Sequence, residues 1–163
     1  MLYTVRINLN NEWRVFDGVE ERETLLDLLR DKAGIKSCKR GCDSGECGAC
    51  TVLLNGAVVN SCCYLALQAD GKAVATLEGL KGDDGGLHPI QQAFIDEGAV
   101  QCGFCIPGMI LAAKALLDGN PAPSSSQIRA AMSGNICRCT GYAKIEKAVE
   151  SAAEAIRKKS GNH

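Results

Sequence analysis

The sequence predicts an α+β protein, with a small mixed domain over residues 1–78, a linker over 79–86 and an all-helical domain over 87–163. Three observations carry this reading. Near the N-terminus hydrophobic residues recur at every second position, the pattern of a half-buried strand. Beyond residue 86 they recur at three- and four-residue spacing, the pattern of amphipathic helices. Between the two regimes lies the polar, glycine-rich run Leu80-Lys-Gly-Asp-Asp-Gly-Gly86.

In the first half, Tyr3, Val5, Ile7 and Leu9 alternate with Thr4, Arg6 and Asn8, which predicts a strand over 3–9. Asn10-Asn11 is a turn signal, and Trp13 to Phe16 returns as a second strand. Thr24 can cap a helix bearing Leu25, Leu26, Leu28 and Leu29, with Gly34 ending it. A glycine-rich loop runs from Lys39 to Gly48. Thr51–Leu54 and Ala57–Asn60 flank Asn55-Gly56, a strong signal for a tight hairpin. Ala73 to Thr76 supplies a last strand.

In the second half, Pro89 suits the first turn of a helix carrying Ile90, Ala93 and Phe94, closed by Gly98. Pro107 opens another, with Met109, Ile110, Ala113, Leu116 and Leu117 facing inward. A short helix spans Gln127 to Met132. The last runs from Tyr142 to about Lys158, with Ile145, Ala148, Val149, Ala152 and Ile156 on one face. The halves share no repeat.

Composition is that of an ordinary globular chain, 46% hydrophobic and 23% charged. Aromatics are only 4%, so the core leans on Leu, Ile, Val and Ala. The net charge of -1 and the lack of a basic stripe argue against a nucleic-acid partner. Lys158-Lys159 reads as a solvated tail. No run of apolar residues is long enough to span a membrane. Met1 to Asn10 shows neither a secretory nor a twin-arginine pattern, so a cytoplasmic location is expected.

The ten cysteines decide the class. In a reducing compartment, clustered cysteines point to metal ligation or redox work rather than to a disulfide framework. Cys42, Cys47 and Cys50 have C-x4-C-x2-C spacing, that of plant-type [2Fe–2S] ferredoxins. A fourth thiolate is required. With Asn55-Gly56 at the hairpin tip, Leu54 faces Ala57 and Cys50 faces Ser61, so chain reversal brings Cys62 home. The assembled cluster is a dianion, which a loop must wrap closely with its N–H groups turned toward sulfur. Gly41, Gly45 and Gly48 permit this. Zinc is the competing reading, though it seldom needs so glycine-rich a wrap.

Cys102 and Cys105 form one short pair, Cys137 and Cys139 another, and each lies just before an expected helix. Two helix N-termini aimed at one anionic centre would stabilise it. On spacing alone zinc stays open here, because two short cysteine pairs are its habit. A redox disulfide is weaker, since no thioredoxin-like pattern surrounds the pair.

Three stretches together resemble one family. They are Gly41-Cys-Asp-Ser-Gly-Glu-Cys-Gly-Ala-Cys50, Gln101-Cys-Gly-Phe-Cys105 and Gly134-Asn-Ile-Cys-Arg-Cys-Thr-Gly-Tyr142. They are similar to the signatures of the small iron–sulfur subunits of molybdenum hydroxylases, the xanthine dehydrogenase, aldehyde oxidoreductase and CO dehydrogenase type. The resemblance covers nearly the whole chain. It implies a ferredoxin-like β-grasp domain followed by a four-helix bundle, and two [2Fe–2S] clusters. Cys42, Cys47, Cys50 and Cys62 would hold the one nearer a flavin. Cys102, Cys105, Cys137 and Cys139 would hold the one nearer the molybdenum cofactor, with Gln101 and Cys139 contacting its pterin. It also implies a large molybdopterin-binding subunit and a medium FAD-binding subunit as partners, in a dimer of heterotrimers. Such enzymes hydroxylate N-heterocycles, oxidise aldehydes or CO, or reductively dehydroxylate an aromatic thioester. One departure is Ile106, where the family usually has Thr.

Cys38 and Cys63 match no ligand position and read as inert thiols, although Cys63 adjoins Cys62. His88 reads as structural and His163 is terminal. Arg138 either tunes potential or bonds a carbonyl. No acid/base pair, phosphate loop or nucleophile constellation is present, so no substrate-converting site is expected. Because the sequence stops at His163, the molybdenum and flavin domains are expected on separate chains. The expected role is single-electron relay inside a larger enzyme. The alternatives are a free two-cluster ferredoxin and a zinc-stabilised module.

Overall fold

The computed structural model describes residues 1–160. Strands β1 (Leu2–Leu9) and β2 (Glu12–Glu20) form an antiparallel hairpin. Asn10 and Asn11 turn it, both at positive φ (53° and 71°), as a two-residue turn matched to strand twist requires. β2 runs four residues past its expected end. The register shift between Tyr3 and Val5 absorbs Asp17 and Gly18 as a bulge, with Gly18 at φ 67°.

β3 (Thr51–Leu54) and β4 (Ala57–Asn60) pair as the Asn55-Gly56 signal predicts, with Leu54 opposite Ala57 and Thr51 opposite Asn60. β5 (Ala73–Ala75) lies parallel to β1 and antiparallel to β3, giving the order β2-β1-β5-β3-β4. One face packs on α1 (Leu25–Asp27), which continues as a π-helical turn over Leu28–Lys32. Thr24 and Asp27 form a reciprocal capping box. The wider turn lets Leu25, Leu26, Leu28 and Leu29 all bury completely against Val5, Ile7, Val52 and Val74.

The second half holds α2 (Pro89–Asp96), α3 (Ile106–Gly119), α4 (Ser125–Met132) and α5 (Ala143–Ser160) around a separate core. Ile90, Phe94, Met109, Ile128, Ile145 and Val149 make its centre. Leu77 and Leu80 pack onto this second core, so the connecting segment is already engaged with the helices. His88 caps α2, its Nδ1 accepting from Ile90 N–H at 3.2 Å, which gives it the structural role expected. α3 is apolar nearly all round because it touches β3 on one side and α2 and α4 on the other. It is the wedge that fixes one half against the other.

Lys158 and Lys159 lie in the last turn of α5, exposed, where cations suit the helix dipole. The His163 reading lies outside the described residues. Among the described residues no helix is long and apolar enough to cross a membrane.

Candidate iron–sulfur centres

The loop from Gly41 to Cys50 curls back on itself through Asp43, Gly45 and Gly48, all at positive φ. This turns the N–H groups of Ser44 and Cys47 toward the Cys42 sulfur, at 3.5 and 3.4 Å. The Ser44 side chain first, then these N–H groups, pull the Cys42 thiol down to about 6, although it is exposed. A Cβ at Gly41 would stand 2.7 Å from Cys47 Sγ, so the cradle has room only for glycine there. Cys47 is raised by burial and by its hydrogen-bonded neighbour Cys42.

The hairpin closes this site from the other side. Ser61 donates to the Cys50 carbonyl through its N–H (3.4 Å) and its hydroxyl (2.7 Å). The short 3₁₀ turn over Ser61–Cys63 then presents Cys62 to Cys50. Burial, then the contact with Cys62, pushes the Cys50 thiol up to about 11. Asn60 Nδ2 donates to the Gly45 carbonyl at 2.8 Å and ties the hairpin to the loop. Arg40 pins the loop to α1 by pairing with Asp43 and Asp27.

In the second half, Cys102 Sγ and Cys139 Sγ stand 3.6 Å apart, both exposed. Cys105, the N-cap residue of α3, is buried against Cys137 and pushed up to about 12, chiefly by burial. Burial also raises Cys137, but the Thr140 hydroxyl (3.1 Å) and N–H (3.4 Å) outweigh it and leave the thiol lowered. Cys105 thus sits at a helix start as expected. Cys137 and Cys139 likewise lie just before α5, in a loop where Thr140 supplies the sulfur-directed donors. Tyr142 stands outside α5 at φ 70°, and its hydroxyl accepts from Cys137 N–H at 2.8 Å.

Asn60, Thr140, Tyr142 and the buried Asn135 are the site residues that motif reading passes over. Asn135, Thr140 and Tyr142 lie within the 134–142 stretch, but none is a thiol. Gln101 is exposed beside Cys102, on the same edge as Cys139. Cys38 is buried, and burial pushes its thiol up to about 12. Cys63 is exposed, with its sulfur 3.6 Å from that of Cys62. Arg138 is exposed. Ile106 opens α3 and is buried in the second core.

At a metal–thiolate length of about 2.3 Å, two thiolates on one tetrahedral ion stand about 3.8 Å apart. Cys102 and Cys139 stand at about that spacing, 3.6 Å, and, after burial, contact with Cys42, Cys62 and Cys137 helps raise the thiols of Cys47, Cys50 and Cys105 respectively. A two-iron cluster takes two thiolates at each iron. The residues fit [2Fe–2S] clusters.

Comparison with known proteins agrees. Residues 7–77 match the 2Fe-2S iron-sulfur cluster binding domain, and residues 76–150 match the [2Fe-2S] binding domain. The chain is 56% identical to the nicotinate dehydrogenase small FeS subunit of Eubacterium barkeri, covering 93% of this chain and 95% of that one. It is 48% identical to the nicotine 6-hydroxylase small subunit of Paenarthrobacter nicotinovorans, covering 88% and 86%. The crystal structure of quinoline 2-oxidoreductase from Pseudomonas putida 86 superposes with a TM-score of 0.90 at 44% identity, covering 96% of this chain and 97% of the matched chain. Thiol pairing, fold and sequence converge: the chain belongs to the family of small [2Fe–2S] iron–sulfur subunits of the molybdenum hydroxylases.

Proposed function

We propose that Cys42, Cys47, Cys50 and Cys62 hold one [2Fe–2S] cluster, that Cys102, Cys105, Cys137 and Cys139 hold the other, and that the chain relays electrons between a molybdenum site and a flavin on partner subunits. The carrying observation is the sorting of eight thiols into four pairs, two on each of two loop systems. Each cluster, when bound, takes up and gives back one electron. The residues of this chain hold the thiolates, direct N–H and hydroxyl donors at Cys42 and Cys137, and wall the sites with apolar side chains.

Direction follows from the family resemblance: the exposed edge carrying Cys102, Cys139 and Gln101 meets the pterin of a molybdopterin cofactor on a large subunit. Cys42 is exposed on the first loop, which faces an FAD-binding medium subunit. We read the first half, 1–78, as a β-grasp domain, 79–86 as the linker, and 87–163 as a four-helix bundle. The assembly is a cytoplasmic dimer of heterotrimers. The relatives described above are named for nicotinate, nicotine and quinoline, all bearing N-heteroaromatic rings. The substrate of the assembled enzyme is accordingly a ring of this class, converted on the large subunit.

Purification from the native source tests this reading. Persistent co-elution with two larger chains, and anaerobic bleaching of the complex by nicotinate or quinoline, is the expected result. A lone brown monomer that no N-heterocycle bleaches contradicts it.

A further inference from the structure

Two residues before Cys137, the Asn135 side chain is buried, 4% exposed, at the junction of the two halves. Its Nδ2 donates to the Gly48 carbonyl at 2.9 Å and approaches Thr51 Oγ1 at 3.2 Å. The Thr51 hydroxyl donates to the same Gly48 carbonyl at 2.7 Å. On its own side, Asn135 N–H donates to the Met132 carbonyl at 3.0 Å, which anchors the loop to the end of α4. The next residue, Ile136, donates its N–H to the Cys47 carbonyl at 2.9 Å.

The surrounding backbone leaves no slack. A Cβ at Gly48 would meet the Gly134 carbonyl oxygen at 2.3 Å, and one at Gly108 in the first turn of α3 would meet the Gly48 carbonyl oxygen at 2.4 Å. The loops that carry Cys47 and Cys137 therefore touch backbone to backbone. The only side-chain amide at this seam is that of Asn135, among the described residues.

We infer that Asn135 is a positioning residue for electron transfer between the two sites: it clamps the 134–137 loop on the 47–51 loop and so holds the Ile136 N–H···O=C Cys47 hydrogen bond. This rests on the proposed function. The bond joins the covalent path from Cys47 Sγ to the path ending at Cys137 Sγ. A bonded path carries electronic coupling far better than a gap of the same length. The step is one electron leaving one site and entering the other, with no bond made or broken and no proton moved. Asn135 suits the role because an amide can donate to two acceptors at once, and because its burial excludes water as a substitute donor.

The test uses the full complex, reduced under anaerobic conditions, with Asn135→Ala and the milder Thr51→Val compared with wild type. Three quantities are read: iron per chain, the magnetic splitting between the two reduced centres by EPR, and the freeze-quench rate of electron arrival at the first site. Asn135→Ala is expected to keep its iron and both EPR signals, to lose most of the splitting, and to slow transfer about tenfold or more. Thr51→Val is expected to fall between the two. Splitting and rate equal to wild type in an iron-replete Asn135→Ala overturn the inference. If that variant does not fold, Thr51→Val decides: a lowered melting temperature with unchanged splitting and rate shows a merely structural role and overturns it equally. A wild-type complex without two EPR signals would instead sink the proposed function.

Discussion

The sulfurs of Cys102 and Cys139 stand 3.6 Å apart although 37 positions separate the two residues in the chain. Two helices and their loops have to fold before these thiols meet, and the spacing reached is that of two thiolates on one tetrahedral metal. Each of the two residues is thus half of a shared position, and neither substitutes for the other.

Cys139→Ser is therefore expected to lose the second cluster and keep the first. Iron should fall from about four to about two per chain, with one EPR signal left unchanged. Retention of both signals would show that the pair is not a ligand pair.

Thr140→Val tests the donors at sulfur. Reduction adds negative charge, which the Thr140 hydroxyl at 3.1 Å from Cys137 Sγ stabilises. Without it, the midpoint potential of the second cluster should fall by on the order of tens of millivolts, because hydrogen bonds to sulfur set cluster potentials. The first cluster should not move. A redox titration followed by EPR separates the two.

Gly48→Ala should destabilise the chain. Gly48 sits at φ 67°, and a Cβ there meets the Gly134 carbonyl oxygen at 2.3 Å. A cost of about 2 kcal/mol follows from the backbone strain alone. At this chain length that is a fall in Tm of about 4–8 °C. Gly134→Ala is the control: a Cβ there meets nothing within 4 Å, and its Tm should stay at the wild-type value. Equal melting of all three proteins would contradict the close approach.

His88 provides a pH signature. Burial first, then the Lys114 ammonium, holds its imidazole below the ordinary value. The unfolded chain therefore takes the proton first as pH falls. The contribution of the neutral cap is complete above the ordinary imidazole range, about 6.5, and is lost as pH drops through the lowered folded value. Protonation removes the Nδ1 acceptor used by Ile90 N–H. Wild-type Tm should drop more steeply than that of His88→Asn between about pH 7 and pH 5, since Asn caps without titrating. Acid loss of iron affects both proteins alike, so the difference isolates the cap. Parallel profiles would contradict the assignment.

Much of the fold is legible where a signal is local. Asn55-Gly56 sets the β3–β4 register to the residue, and that register places Ser61 against Cys50 and Cys62 beside it. Thr24 and His88 stand at helix starts that their neighbours complete as capping boxes, whereas α4 begins at Ser125, capped by Ser124, two residues before its expected start. What sequence reading misses is non-local. The end of β2 depends on a bulge shared with β1, which carries the strand past Phe16 to Glu20. The π-helical turn after Asp27 exists because four leucines must reach one core. Asn135 carries no metal-binding chemistry, and its role shows only once Gly48 and Thr51, more than eighty residues earlier, lie against it. The pairing of thiols across each site is likewise a property of the folded loops and not of their spacing.

The central claim is that two separate [2Fe–2S] clusters sit on this one chain. Iron and acid-labile sulfide, measured on anaerobically prepared protein alongside EPR of the reduced state, test it most directly. The account predicts about four iron and four sulfide per polypeptide with two distinct S = 1/2 signals. Zinc in place of iron, or half that content with a single signal, would contradict it.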